Sequence, residues 1–186
     1  MKKTKLPAVL TIAPMGENIM RDGWSVVDTC KELEQRGADV VGMNCFRGPD
    51  TMKDYVLEIR KAVKCHVAAL PVPYRTNKNH ATFFNLPDRD NECGCGAPHG
   101  RTFPTALDPL YCNRYEIAQF TKELFESGVN YLGVCCGASP ALIREIAHSV
   151  GLEVPGSKYK ENMSNHFMYG NNERIPEHMK EYGNKA

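Results

Sequence analysis

No stretch of this 186-residue chain approaches the ~20 consecutive apolar residues that a membrane-spanning helix requires. Nor is there a surplus of either charge. Lys and Arg number 23 against 22 Asp and Glu, leaving a net charge of +1. That balance removes the electrostatic reason to expect nucleic acid or an anionic membrane surface as a partner. The basic opening Met1-Lys2-Lys3-Thr4-Lys5 leads into one short apolar run that contains Pro7. A secretory signal needs a longer apolar stretch and a small-residue cleavage site, so the expectation is a cytoplasmic protein. In a reducing compartment disulfides are rare, so an organised group among the eight cysteines points to metal binding or reactivity.

What is present is a repeated alternation of short apolar runs with amphipathic stretches. Pro7–Ala13 reads as a strand buried on both faces, and Asp39–Cys45, His66–Val72 and Val129–Cys135 read as the second, third and fourth strands. Helices are expected from Trp24 to Gln35, from about Thr51 to Val63, from Tyr111 to Ser127 and from about Pro140 to Val150. Ser139 can cap the last of these, and Pro140 suits its first turn. Four strand–helix units imply a parallel sheet with right-handed crossovers, in an α/β fold. No G-x-G-x-x-G follows Ala13, as an open dinucleotide-binding sheet would require. A closed (β/α)8 TIM barrel needs eight strands, so the pattern reads as a partial barrel of four units. Its two end strands would leave unpaired backbone edges. The expected partners are therefore a second copy, as a homo-oligomer, or a complementary half-barrel. Residues 1–151 are expected to form this domain, and 152–186 an extended or partly disordered C-terminal arm.

Three cysteines fall where barrel chemistry is done. Cys45 ends the second strand, and Cys135 and Cys136 end the fourth, each run carrying a Gly just before. Active sites of (β/α) folds form at that carboxyl end. Three thiolates would give zinc a first shell with one position open, the form of a catalytic site. Buried strand-end cysteines are also ordinary, and spacing alone leaves both readings standing. Consecutive strand residues point to opposite faces, so one ion shared by Cys135 and Cys136 demands a turn, for which Gly137 supplies freedom. Cys93-Gly94-Cys95-Gly96, with His99, is a weaker metal candidate because it lacks paired finger spacing. Cys30 and Cys65 read as small buried residues.

The segments Gly37–Cys45, Leu70–Tyr74 and Gly128–Gly137, continuing into Ser139–Ala147, resemble the homocysteine S-methyltransferases, most closely the betaine-dependent ones. Asn85–Pro87 and Leu107–Pro109 look like landmarks of the same family. The resemblance runs from about Lys5 to Gly151. It implies the C-terminal half of a (β/α)8 barrel and zinc held by Cys45, Cys135 and Cys136. It also implies methyl transfer from betaine or a related donor to homocysteine, giving methionine. Asn44 becomes a candidate to orient substrate polar groups, against a plain turn role. Tyr74 is a candidate to face the site, against plain packing. The family's first half, with residues that hold homocysteine's amino acid moiety and enclose the donor, has no counterpart here. The insertion around Asp90–Arg101 is atypical. The alternative expectation is a non-catalytic half-barrel, or interaction subunit, that retains the metal site.

Overall fold

The computed structural model describes residues 5–16, 18–87, 101–159, 164, 166–168, 170, 173 and 175–183. Cys93, Cys95 and His99 lie outside them. The chain divides into two compact units, Met1–Leu152 and Glu153–Ala186.

In the first unit the apolar runs become β1 (Val9–Ile12), β2 (Val40–Asn44), β3 (His66–Leu70) and β4 (Tyr131–Leu132). All neighbours are parallel, in the order β1-β2-β3-β4. The order advances without the reversal that marks a doubly wound sheet. Helices α1 (Val26–Gln35), α2 (Pro49–Ala62), α3 (Arg114–Glu126) and α4 (Pro140–Ser149) pack side by side in chain order. Val41, Met43, Val67 and Ala69 point from the strands into a core with Val26, Cys30, Met52, Val56, Ile59, Phe120 and Leu124. Strand alternation sends Val9, Val40, Gly42, Ala68 and Tyr131 to the other face. Gly42 and Ala68 are small there, while Val9 and Tyr131 remain 44% and 45% exposed.

Local chemistry sets the element ends, and in places moves them from the expected positions. Helix α1 starts two residues later than Trp24 because the Ser25 hydroxyl accepts from Asp28 N–H and caps it there. Helix α2 starts at Pro49, its fixed φ suiting the first turn, rather than at Thr51. Helix α3 starts at Arg114, where Asn113 and Glu116 form a reciprocal capping box. Tyr111 is drawn away into an isolated antiparallel bridge with Tyr74. Strand β4 is shorter than Val129–Cys135, yet its hydrogen bonding continues. Gly133 N–H donates to Ala69 C=O at 3.2 Å, and Cys135 N–H to Pro71 C=O at 2.7 Å. Between β3 and α3 the chain makes short 3₁₀ turns at Phe83–Asn85 and Asp108–Leu110.

The second unit contains a 3₁₀ turn at Pro155–Tyr159 and helix α5 (Glu177–Gly183). Among the described residues no helix is long and apolar enough to cross a membrane.

Candidate metal centre

At the carboxyl ends of β2 and β4 three thiols converge. Cys45 Sγ lies 3.6 Å from Cys136 Sγ, and Cys135 Sγ 3.9 Å from Cys136 Sγ. All three sulfurs fall within 4.8 Å of one another. A tetrahedral zinc with Zn–S bonds of about 2.3 Å sets its sulfurs about 3.8 Å apart. Two of the three sulfur–sulfur distances are thus close to that spacing, and the third is within 4.8 Å. Cys45 and Cys135 are half-buried and Cys136 is exposed, so the sulfurs are reachable from outside.

Unusual backbone brings these sulfurs together. Cys45 and Phe46 both take left-handed conformations, with φ of 61° and 59°. For residues other than glycine such conformations cost about 1–3 kcal/mol each and persist only where the surroundings enforce them. Here Cys45 N–H donates to Leu70 C=O at 2.9 Å, Arg47 N–H to Cys45 C=O at 2.7 Å, and Phe83 N–H to Phe46 C=O at 2.9 Å. The buried Arg47 side chain secures the loop further. Its guanidinium donates to the carbonyls of Gly16 and Thr51 and lies 4.9 Å from the Tyr55 ring centroid. On the β4 side Ala138 N–H donates to Cys135 C=O at 3.0 Å, and Gly137 has φ of 91°. A positive φ at the third position of a four-residue turn is the type II signature that glycine satisfies. This turn puts Cys135 and Cys136 in one cluster.

Asn44 directs its side-chain amide at Cys135 Sγ, 3.9 Å away, so it faces the thiols. Tyr74 also borders the centre. A Cβ at residue 137 would sit 2.7 Å from Tyr74 Oη, and the Tyr74 ring stacks on Phe83 with centroids 5.6 Å apart. Burial, then Tyr111, Asp108 and Cys136, raise the Tyr74 hydroxyl pKa. Sequence reading passed over Phe46, Arg47 and Tyr111. The Tyr111 hydroxyl donates to Gly137 C=O at 2.6 Å. Two successive positive-φ residues without glycine leave no compositional signal, and an isolated tyrosine leaves none either.

The surroundings of Cys45 discourage its ionisation. Burial pushes the Cys45 thiol up to about 12, and the neighbouring Cys135 and Cys136 thiols add to the rise. A cation seated among them reverses that logic, because thiolate ligands are stabilised by the ion's charge.

Residues 1–150 match the family model described as homocysteine S-methyltransferase. The chain belongs to that family. Among its curated relatives, it is 31% identical over 152 residues to betaine–homocysteine S-methyltransferase 1 of Danio rerio, covering 78% of this chain and 34% of that protein. It is 31% identical over 163 residues to the enzyme of the same name from Xenopus tropicalis, covering 81% and 36%. To S-methylmethionine–homocysteine S-methyltransferase BHMT2 of Pongo abelii it is 28% identical over 160 residues, covering 82% and 40%. The chain thus spans about a third of the length of the first curated relatives it matches.

Proposed function

We propose that this chain provides the zinc-binding part of a homocysteine S-methyltransferase, with Cys45, Cys135 and Cys136 as the three protein ligands. The observation that carries this reading is the sulfur triangle at the carboxyl ends of β2 and β4, with its 3.6 and 3.9 Å sides. Three protein ligands and one open position is the form of catalytic rather than structural zinc sites. When bound there, zinc lowers the pKa of a thiol that enters the open position, so that homocysteine's sulfur, with a reference pKa of about 8.5, is held as a thiolate near neutral pH.

The chain's own residues do the rest. The turn at Cys135–Ala138 and the left-handed Cys45–Phe46 backbone keep the three sulfurs aimed at one point. The Asn44 amide, beside Cys135 Sγ, orients polar groups at the edge of the site. Tyr74 bounds it on the side of the long β3–α3 connection. In the overall reaction a bond forms between homocysteine's sulfur and a methyl carbon of the donor. The bond from that carbon to the donor's positively charged nitrogen or sulfur breaks, and its electron pair leaves with the donor. Betaine and S-methylmethionine, which name the relatives' donors, both fit this chemistry. The setting is the cytoplasm, where thiols stay reduced.

We further infer that the sheet is one half of a (β/α)8 barrel. Its strands run in sequential order, Val9 and Tyr131 stay exposed on the face away from the helices, and closure brings further strand–helix units over that face. Methionine formation from homocysteine, with betaine and S-methylmethionine tried separately, tests the reading. We expect turnover when the zinc-loaded chain is joined to or mixed with a complementary N-terminal half-barrel, and little without it. Absence of methionine from a folded, zinc-loaded, complete barrel with either donor would refute the assignment.

A further inference from the structure

We propose that Tyr111 is a positioning residue for the paired ligands Cys135 and Cys136. Its hydroxyl, donating to Gly137 C=O at 2.6 Å, holds the turn that puts both sulfurs beside Cys45. This inference rests on the zinc reading above and adds a residue to it.

In an extended strand the side chains of residues 135 and 136 would diverge to opposite faces. The chain avoids this by turning at once after Cys135, with Gly137 at φ of 91°. Glycine makes the turn possible but does not hold it, since it has more backbone freedom than any other residue. The turn's own hydrogen bond, Ala138 N–H to Cys135 C=O at 3.0 Å, is joined by a second from outside it, which Tyr111 donates at the short end of the O–H···O range. Tyr74 closes the other side, packed so near that residue 137 has no room for a Cβ.

Tyr111 is itself well anchored. It pairs with Tyr74 in an antiparallel bridge flanked by Arg75 N–H to Leu110 C=O at 2.8 Å and Cys112 N–H to Pro73 C=O at 2.9 Å. Its ring meets that of Tyr74 edge-on, with centroids 5.7 Å apart. Arg75 then makes two hydrogen bonds, of 2.7 and 2.6 Å, to Glu116 in the first turn of α3. The long β3–α3 connection thus returns to the metal centre as a brace, with α3 as its foundation.

Partners that orient metal ligands typically set affinity by a factor of about 10 to 100. The test compares the full chain with Tyr111→Phe and Tyr115→Phe, the latter removing a hydroxyl from a ring that is 66% exposed on α3. Zinc affinity is read by competition with a chromophoric chelator. Cobalt(II) loading counts thiolates through the sulfur-to-metal charge-transfer band, and the melting of each metal-free protein is recorded. We expect Tyr111→Phe to bind zinc about 10- to 100-fold more weakly. Its cobalt band should weaken, with metal-free melting unchanged, while Tyr115→Phe matches the parent. Equal affinity in parent and Tyr111→Phe overturns this inference and leaves the zinc reading intact. It is also overturned if the affinity loss is fully accounted for by a smaller folded fraction. Failure of the parent chain itself to take up metal removes the zinc reading, and this inference with it.

Discussion

Replacing Gly42 with alanine should reverse the usual sign of a glycine-to-alanine change. Where the native backbone accepts a side chain, that change stabilises a protein by about 0.4–1 kcal/mol, through lost freedom of the unfolded chain. Gly42 lies mid-strand in β2, in register with Thr11 of β1 and Ala68 of β3. A Cβ there would lie 2.0 Å from Ala68 O, 2.7 Å from Ala68 N and 2.8 Å from Ala68 C. All three are backbone atoms, so no rotamer change relieves the overlap and β2 must separate from β3. Overpacking of this kind costs about 1–3 kcal/mol, and each ladder hydrogen bond lost costs about 1 kcal/mol more. With one ladder hydrogen bond lost, and set against the unfolded-state gain, the net is about 1–4 kcal/mol of destabilisation. Urea denaturation of the metal-free chain measures it, with Gly16→Ala as the reference. Nothing lies within 4 Å of a Cβ at Gly16, so that variant should be neutral or slightly stabilising. If Gly42→Ala unfolds at the same or a higher urea concentration than the parent, the close approach of β2 and β3 is wrong.

Two further outcomes follow from the same structure. Leu124, fully buried where α3 meets the sheet, should cost about 2–5 kcal/mol on replacement by alanine; a loss under 1 kcal/mol in urea would place that helix elsewhere. Glu116 has its carboxyl pKa lowered, chiefly by its hydrogen bond to Arg75, so it stabilises the fold above the unfolded value of about 4.3 and loses that contribution as pH falls through the lower folded value. Both side chains are more than a third exposed, so screening keeps the effect within about 1 kcal/mol. Glu116→Gln should therefore be less stable than the parent at pH 6 and converge with it in acid; a constant gap across that range would show the charge to be irrelevant.

Much of this architecture was legible because buried parallel strands announce themselves. Val40 and Val41 and the run Val67–Ala69 are apolar on both faces, and Ser139 marks a helix start by the chemistry of its side chain. The three cysteines could be placed at strand ends because strand direction in a (β/α) fold fixes which end carries the site. Legibility ended where conformation depends on distant partners. The left-handed Cys45–Phe46 pair is enforced by Leu70 and Phe83, and the Tyr74–Tyr111 bridge joins residues across the long loop. Neither leaves a local pattern. Helix periodicity carried α3 back to Tyr111, whereas the capping box at Asn113 stops it short and frees that tyrosine for the turn.

The central claim, that Cys45, Cys135 and Cys136 hold zinc with one position open for a thiol, is tested most directly by zinc-edge X-ray absorption of the zinc-loaded chain, and of the same chain joined to a complementary N-terminal half-barrel before and after homocysteine. The account predicts three sulfurs at about 2.3 Å with one lighter ligand, becoming four sulfurs when homocysteine is added to the complete barrel. A bound zinc with fewer than three sulfurs, or a shell unchanged by saturating homocysteine once the complementary half-barrel is supplied, would contradict it.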